Sequence, residues 1–238
     1  MIILGVESSA ITVSSAIMRD GELVCEFFEN NGLTHSVTLL PQIKEALDSS
    51  RLSVSDVDVF AVSNGPGSFT GLRIGAATVK GLAANGAKCL GVSTLLAMAY
   101  SHRDFDGVVC PCMDARCSQV YNALFKIEEG DVKRLCGDRA LMVNELIAEL
   151  EEISENILLV GDGAKLVYSA IEKENSALVD RVRTLEGELV YQHANGVCFA
   201  AFDMLKKGEK AVNAEELNLE YLRLPQAERE LKKKEKTQ

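Results

Sequence analysis

In the first hundred residues, apolar segments are separated by short polar turns. The spacing of the apolar residues predicts strands at first, and then helices and strands in alternation. Period-two and continuous apolar runs predict strands at 4–7, 12–18, 22–28, 56–63 and 89–92. Arg19-Asp20-Gly21 predicts a tight hairpin between the second and third strands. Apolar residues at helical spacing predict helices at 36–49, 70–85 and 93–102.

The same kind of pattern begins again near Gly107. Strands are predicted at 108–113, 119–127 and 157–160, and helices at 143–152, from Gly163 to about 174, and at about 189–207. Three strands followed by alternating helices and strands resemble one RNase H-like unit. We therefore expect an α/β protein with two such domains, covering residues 1–103 and 104–238.

Composition and charge exclude several classes of function. The chain has 238 residues, 47% of them hydrophobic, and a net charge of −10, so we expect a globular protein that does not hold nucleic acid by itself. No apolar run approaches the length of a membrane span, and the first residues lack the basic region of a secretory signal. Seven cysteines without a C-x-x-C pair predict a reducing, cytoplasmic environment.

The most informative segment runs from Asn64 to Gly75, where a strand ends in a glycine-rich turn and a helix begins at Ser68 or Thr70. The spacing matches neither a Walker loop nor the Rossmann fingerprint. A glycine inside a helix costs about 1 kcal/mol against alanine, so Gly71 and Gly75 need a reason. Three remain open: packing on the chain's own sheet, a helix–helix interface with another molecule, and a phosphate site at the helix start.

Several segments together resemble the bacterial TsaB (YeaZ) family over nearly the whole chain. They are Leu4–Ser9, His35–Pro41, Gly65–Gly75 continuing to Lys80–Ala83, Met113–Arg116 with Val120-Tyr121, Gly161–Ala164 and Tyr221–Glu228. The resemblance implies an actin-like (Hsp70-like, ASKHA) fold of two RNase H-like domains. It also implies a non-catalytic dimerisation subunit that is required for threonylcarbamoyladenosine formation on the tRNA adenosine next to the anticodon.

The same resemblance implies partners and a partner interface. The glycine-rich helix would pack against the equivalent helix of a TsaD-type transferase, which the chain binds and activates as a heterodimer. Gly71, Gly75 and Thr78 would allow backbone approach, and Leu72, Ile74 and Leu82 would supply apolar contact. Gly75→Leu should then abolish partner binding while the monomer stays folded. We further expect a homodimer of the isolated chain, a TsaE-type ATPase in a ternary complex, and only indirect contact with tRNA.

The metal site of the TsaD-type transferases is not expected in this chain. Those enzymes carry a His-Leu-Glu-Gly-His motif, and Thr94 and Met98 stand where its two histidines would be. A hydroxyl and a thioether cannot replace two imidazoles at this spacing. The three histidines, His35, His102 and His193, form no pair at metal-ligand spacing. We therefore predict no metal, no cofactor and no catalytic residue.

A rival interpretation is a stand-alone actin-like nucleotide-binding enzyme, such as a weak ATPase or a small-molecule kinase. Glu7-Ser8-Ser9 lies where actin-like ATPases have an Asp-x-Gly-Thr phosphate loop, although the longer carboxylate and Ser8 weaken the match. Asn64 and Asp162 would complete a vestigial nucleotide cleft, while a simple strand-to-helix turn also explains Asp162. A homodimeric interaction module with no link to tRNA is a third possibility.

Three smaller features have ordinary explanations. Cys110 and Cys112 are expected to be buried small thiols on one face of a strand and not a thiolate metal site. His35 and Ser36 are neighbours at a helix start and point apart, so they cannot form a hydrolase pair. Lysines at 232–236 predict a solvated tail, with contact to tRNA phosphates as the alternative.

Overall fold

The computed structural model describes residues 1–32, 34–174 and 177–223. Its first sheet has the strand order β3-β2-β1-β4-β5, with β1 antiparallel to β2 and parallel to β4. The strands are β1 Ile2–Glu7, β2 Val13–Arg19, β3 Glu22–Glu29, β4 Val59–Gly65 and β5 Lys88–Ser93, and the helices that follow them are α1 His35–Ser49, α2 Phe69–Leu82 and α3 Thr94–Ser101.

The central strands of this sheet are buried on both faces, which explains their nearly continuous apolar character. On one face, Leu4, Val6 and Phe60 pack against α1 and α2. On the other face, Ile3 and Ala61 pack against α3 and the last helix of the chain. The sheet with its covering helices forms the first lobe of the molecule.

The second sheet has the order β10-β7-β6-β11-β12, with β8 and β9 attached to the start of β6. Its central strand β6 lies between the antiparallel strand β7 and the parallel strand β11, which is the arrangement around β1 in the first sheet. The predicted architectural repetition is therefore present. This second lobe contains β6 Gly107–Arg116, β7 Gln119–Asn122, β8 Phe125–Glu128, β9 Asp131–Arg134, β10 Arg139–Met142, α4 Val143–Glu151, β11 Ile157–Val160, α5 Ala164–Glu174 and β12 Val182–Thr184.

Two sequence-based assignments in the second half are wrong. The single strand predicted at 119–127 is two strands, because β7 pairs with the end of β6 and β8 pairs with its beginning. The last helix, α6, spans Ala194–Lys206, and Gly187–Val190 before it is a short 3-10 helix. The strands β9, β10 and β12 have only three or four residues, too few for alternation to mark them in the sequence.

The C-terminal part of the chain returns to the first lobe. Helix α6 packs on the first sheet against β1 and β2. Its residues in this core are Ala194, Val197 and Cys198. Farther on, Val212 pairs with Cys89 of β5 through two backbone hydrogen bonds of 2.8 Å. The domain division at residue 103 remains a prediction, but α6 does not stay with the second sheet. Across the described residues, no helix is both long and apolar enough to cross a membrane.

Candidate functional site

The glycines of α2 face the interior of the chain's own first lobe. A Cβ atom at Gly71 would lie 2.0 Å from the backbone oxygen of Ser8, and one at Gly75 would lie 2.4 Å from Ser8 Oγ. Ser8 Oγ donates a hydrogen bond of 2.9 Å to the Gly71 carbonyl. Leu72 between them is fully buried. The close backbone approach predicted from the glycines is therefore made with the turn that follows β1.

This placement changes the expected result of the Gly75→Leu substitution. A leucine at Gly75 would collide with Ser8 and Val62 inside the lobe, so the variant would disturb the monomer. It cannot separate loss of folding from loss of partner binding. Of the six predicted interface residues, Gly71, Leu72 and Gly75 do not reach the surface of α2.

The opposite side of α2, which we call its outer face, carries small and apolar residues. Ala77 and Gly81 are exposed one helical turn apart, and the charged Arg73, one turn earlier, bounds this face. Beside them, the remaining predicted interface residues are half-buried: Ile74, Thr78 and Leu82. A Cβ atom at Gly81 would have no neighbour within 4 Å, so nothing in the described chain covers this part of the helix.

An apolar groove adjoins the outer face of α2 at Leu82. Its volume is about 620 Å³. Val37 and Leu40 of α1, on the same side of the lobe, are 63% and 55% exposed, which is high for large aliphatic side chains. The groove is lined by Leu40, Pro41, Ile43, Lys44, Leu47, Asp48, Leu52, Ser53, Val54 and Leu82. Together, the outer face and the groove form a continuous surface of small and apolar residues.

A second concave site lies between the two lobes and has a volume of about 450 Å³. The first lobe contributes the turn after β1 and the N-terminal end of α2. The second lobe contributes the end of β6 and the turn after β11. The lining residues are Ser9, Ala10, Ile11, Gly67, Ser68, Phe69, Thr70, Met113, Asp114, Ala115, Arg116, Tyr121 and Asp162.

Only two of the five residues predicted for a nucleotide cleft, Ser9 and Asp162, line this interlobe cleft. Glu7 is fully buried; its Oε1 accepts a hydrogen bond of 2.6 Å from Ser9 N, and its Oε2 accepts one from Ser63 Oγ. Ser8 is engaged with α2, as described above. Asn64 turns toward the C-terminal segment, where its carbonyl accepts a hydrogen bond of 2.8 Å from Glu220 N.

The electrostatics of the cleft combine acidic and anion-binding features. Burial raises the pKa of Asp162, and the nearby Asp114 raises it further, while a 3.0 Å hydrogen bond from Gln192 opposes both effects. Asp114 pairs with the exposed Arg116 at 3.2 Å. On the opposite wall, the N-terminal end of α2 offers backbone N–H groups. Ser9 Oγ is buried and has no hydrogen-bond partner among the described residues.

Burial also raises the pKa of Glu7, against the hydrogen bonds from Ser63 and Ser9 that lower it. Both oxygens of this carboxylate are occupied by the chain itself. Glu7 is therefore a structural group beneath the cleft and not a free ligand for a cation.

The positions that correspond to the transferase metal site do not fit a metal. Thr94 and Met98 are both buried on α3, and Met98 lies in the apolar packing between the two lobes. Within the described ranges, no group of three or more His, Cys, Asp or Glu side chains is placed to hold a metal ion. Cys110 and Cys112 are fully buried, with sulfurs 3.7 Å apart, which confirms their assignment as buried thiols.

The three histidines occupy separate environments. His35 Nε2 bonds to the Ala10 carbonyl at 2.8 Å and not to Ser36. Burial lowers the pKa of His102 to about 4. His193 Nδ1 lies 3.3 Å from Glu26 Oε1. None of these contacts joins a histidine to a serine hydroxyl in the way that a hydrolase requires.

Several residues at the cleft were not assigned a role from the sequence. Asp114 and Arg116 belong to a segment that carried the family resemblance, and so does Tyr221, whose ring stacks on Phe69 with centroids 4.6 Å apart. The family resemblance identified these segments in the sequence, but it gave no information on how close they lie to one another. The lysine-rich tail at 232–236 and the end of the Tyr221–Glu228 segment lie outside the described residues.

Comparison with known proteins agrees with this architecture. A sequence profile described as tRNA N6-adenosine threonylcarbamoyltransferase (TsaD) matches residues 29–231. The tRNA threonylcarbamoyladenosine biosynthesis protein TsaB of Escherichia coli is 32% identical, over 94% of this chain and 95% of its own. The TsaB protein of Bacillus subtilis is 29% identical over 96% of both chains.

Solved structures give the same picture. YeaZ from Pseudomonas aeruginosa is 26% identical and superposes with a TM-score of 0.74, covering 93% of this chain and 99% of its own. Component A of (R)-2-hydroxyglutaryl-CoA dehydratase from Acidaminococcus fermentans, 15% identical with a TM-score of 0.50, shares the fold alone. The expected actin-like α/β fold is thereby confirmed. The chain therefore belongs to the TsaB (YeaZ) family of tRNA threonylcarbamoyladenosine biosynthesis proteins, within the wider group of TsaD-like proteins.

Proposed function

We propose that this protein is a non-catalytic, cytoplasmic scaffold that binds a TsaD-type transferase as a heterodimer and activates it. The transferase would form threonylcarbamoyladenosine on the tRNA adenosine next to the anticodon. The observation that carries the proposal is the uncovered outer face of α2, with its small residues and the adjoining apolar groove. Large contiguous apolar patches on soluble proteins mark interaction sites.

The side-chain chemistry of the chain favours a scaffold role and argues against a second catalytic transferase. Thr94 and Met98 stand in place of the metal-binding imidazoles of the catalytic relatives; both are buried, and Met98 packs in the core. Both carboxylate oxygens of Glu7 accept hydrogen bonds from the chain itself, one from Ser9 and one from Ser63. In this proposal the metal and the reacting groups belong to the partner, and this chain supplies shape and position.

The outer face of α2 has the geometry of a helix–helix contact. Ala77 and Gly81 leave room for a facing backbone, while Ile74 and Leu82 supply apolar contact at its borders. Isolated copies would bury the same face in a homodimer, and a TsaE-type ATPase would join the heterodimer as a third component. The net charge of −10 supports an indirect role toward tRNA.

The test places a charge on the proposed interface without touching the core. Ala77→Glu is predicted to weaken the heterodimer by at least about tenfold, because a carboxylate would be buried unpaired between two helices. Ala148→Glu, at an exposed alanine of α4 in the second lobe, is the matched control. Each variant is mixed with the cognate TsaD-type protein and analysed by size-exclusion chromatography with light scattering.

A one-to-one complex with wild type and Ala148→Glu, but not with Ala77→Glu, supports the proposed interface. Equal complex formation by all three chains shows that the interface lies elsewhere. If even the wild-type chain forms no complex, the scaffold role toward this transferase is wrong.

A second candidate function, nucleotide binding in the interlobe cleft, is favoured because Ser9 and the N-terminal residues of α2, Phe69 and Thr70, line the same cleft. Isothermal titration of the isolated chain with ATP and magnesium tests it. Thr70→Asp, an exposed change on the cleft wall, should abolish any saturable heat, because it puts a negative charge where phosphate would bind. Absence of saturable heat with the wild-type chain eliminates this candidate.

A further inference from the structure

Residues 218–223 form a strap that runs from the first lobe to the second across the rim of the interlobe cleft. At its start, the Asn218 carbonyl accepts a hydrogen bond of 3.5 Å from Asn64 Nδ2, and Glu220 N donates to the Asn64 carbonyl. Gly65 has a φ of +138°, and a Cβ atom there would lie 2.0 Å from the Glu220 oxygen. The first lobe is thus shaped to receive this segment.

The middle of the strap lies on the N-terminal end of α2. The Tyr221 ring stacks on Phe69, with an angle of 22° between the ring planes. Arg73 Nε donates to the Tyr221 hydroxyl at 3.2 Å. Phe69 lines the cleft, so the strap holds the first-lobe wall at its rim.

The end of the strap holds the second-lobe wall through one guanidinium group. Arg223 donates from one nitrogen to the Ala115 carbonyl at 2.5 Å and from the other to Gln119 Oε1. These acceptors flank the turn Arg116–Ser118, whose three residues have φ values of 66°, 57° and 54°. Consecutive non-glycine residues in the left-handed region are strained, so such a turn needs an external support. Arg223 bridges both of its ends.

The two lobes are joined differently beneath the cleft. There, Leu95 and Met98 of α3 pack against Val109 of β6 and Phe125 of β8 in a buried apolar cluster, which also contains the cleft-lining residue Met113. Gln192 adds a polar link at the cleft itself, because its Nε2 donates to Asp162 and its carbonyl accepts from Thr12. A packed apolar core opens less readily than a few polar contacts near the surface. An opening motion would therefore hinge at this apolar cluster and separate the lobes at the rim.

We propose that residues 218–223 are a clasp that holds the two walls of the interlobe cleft together at its rim, and that release of Arg223 and Tyr221 lets the walls move apart. This device is independent of which partner the outer face of α2 binds. When the clasp is released, the walls of the cleft move apart locally, while the apolar cluster at the hinge stays packed.

Hydrogen–deuterium exchange of the full-length chain tests the clasp. Arg223→Ala should accelerate amide exchange roughly tenfold or more in peptides covering residues 8–11 and 113–121, because a charge-assisted hydrogen-bond pair is worth at least a factor of ten in an opening equilibrium. Peptides from the hinge side of α3 should keep wild-type rates. Arg139→Ala, which removes the ion pair of Arg139 with Glu149 inside the second lobe, is the matched control.

Unchanged exchange at the cleft walls in Arg223→Ala overturns the proposal, and so does acceleration of the same size in Arg139→Ala. If Arg223→Ala exchanges faster everywhere, Gln119→Ala separates the explanations by removing one acceptor and leaving the arginine. Local acceleration in that variant supports the clasp, and global acceleration rules it out. Tyr221→Ala combined with Arg223→Ala should accelerate exchange by less than the product of the two single effects, because both residues hold one closure.

Discussion

Ser8 is the residue that determines what the glycines of α2 do. Its backbone oxygen and its hydroxyl lie within 2.0 and 2.4 Å of the positions that side chains at Gly71 and Gly75 would occupy. The two glycines lower the helix propensity of α2, but they allow the helix to lie directly on the turn after β1. Gly81, the second-last residue of the same helix, has no such neighbour.

This contrast predicts opposite effects of one substitution at two glycines. Gly71→Ala should lower the free energy of unfolding by about 1–3 kcal/mol, because the backbone of Ser8 must move. Gly81→Ala should raise it by about 0.5–1 kcal/mol, because helix propensity improves in open space. Urea unfolding of both variants beside wild type measures the difference. A loss of stability at Gly81 equal to that at Gly71 would contradict the packing described here.

At the scale of elements, α6 is attached to the first sheet through a histidine at its N-cap. His193 Nδ1 faces Glu26 of β3, its Nε2 lies 3.0 Å from the Glu188 carbonyl, and its ring stacks on Phe28. Burial lowers the pKa of His193, but the hydrogen bond and charge of Glu26 and the Glu188 carbonyl outweigh burial, so the pKa is raised. Both ring nitrogens donate only in the imidazolium form.

The raised pKa of His193 predicts a pH-dependent attachment of α6. A group that is more basic in the folded state stabilises it fully below its unfolded pKa of about 6.5, and this stabilisation is lost as pH rises through the folded value. The stability difference between wild type and His193→Gln should therefore shrink from pH 6 toward pH 8.5. Urea unfolding at several pH values measures it, and a constant difference would contradict the assignment.

His102 gives the opposite dependence and must be separated from His193 in such a measurement. Because burial lowers its pKa to about 4, the unfolded chain binds more protons than the folded chain between pH 6.5 and 4. Its contribution to stability is therefore lost as pH falls through that range. His102→Gln identifies this acidic limb, while the limb above pH 6.5 belongs to His193.

At the scale of the whole molecule, two surfaces of different character lie at the two ends of one helix. The outer face of α2 with its groove is small and apolar, as a protein partner requires. The N-terminal end of α2 opens into a polar cleft with Asp114, Arg116 and Asp162. Arg73 and Phe69 contact the clasp between these surfaces, so a partner on the outer face would lie beside the strap at the rim of the cleft.

Local sequence patterns were sufficient for the regular elements of the first lobe. The strands β1 to β5 and the helices α1 to α3 were predicted within a few residues, because each is long enough for burial to impose a period. In the second lobe, β9, β10 and β12 are too short to carry such a period, whereas the equally short β11 was predicted because it is apolar throughout. The split of 119–127 arises from two partners along one β6 strand, which is information about neighbours in space.

The sequence by itself determined the fold class and the family, and it places Thr94 and Met98, not two histidines, after β5. These depend on residue identity, spacing and periodicity, which are local properties of a chain. Tertiary structure alone decided that Gly71 and Gly75 face Ser8, that Asn64 lies outside the cleft, that α6 returns to the first sheet, and that Arg223 reaches Ala115. Each of these joins residues far apart in the chain, and a contact of this kind is set by packing of the complete core.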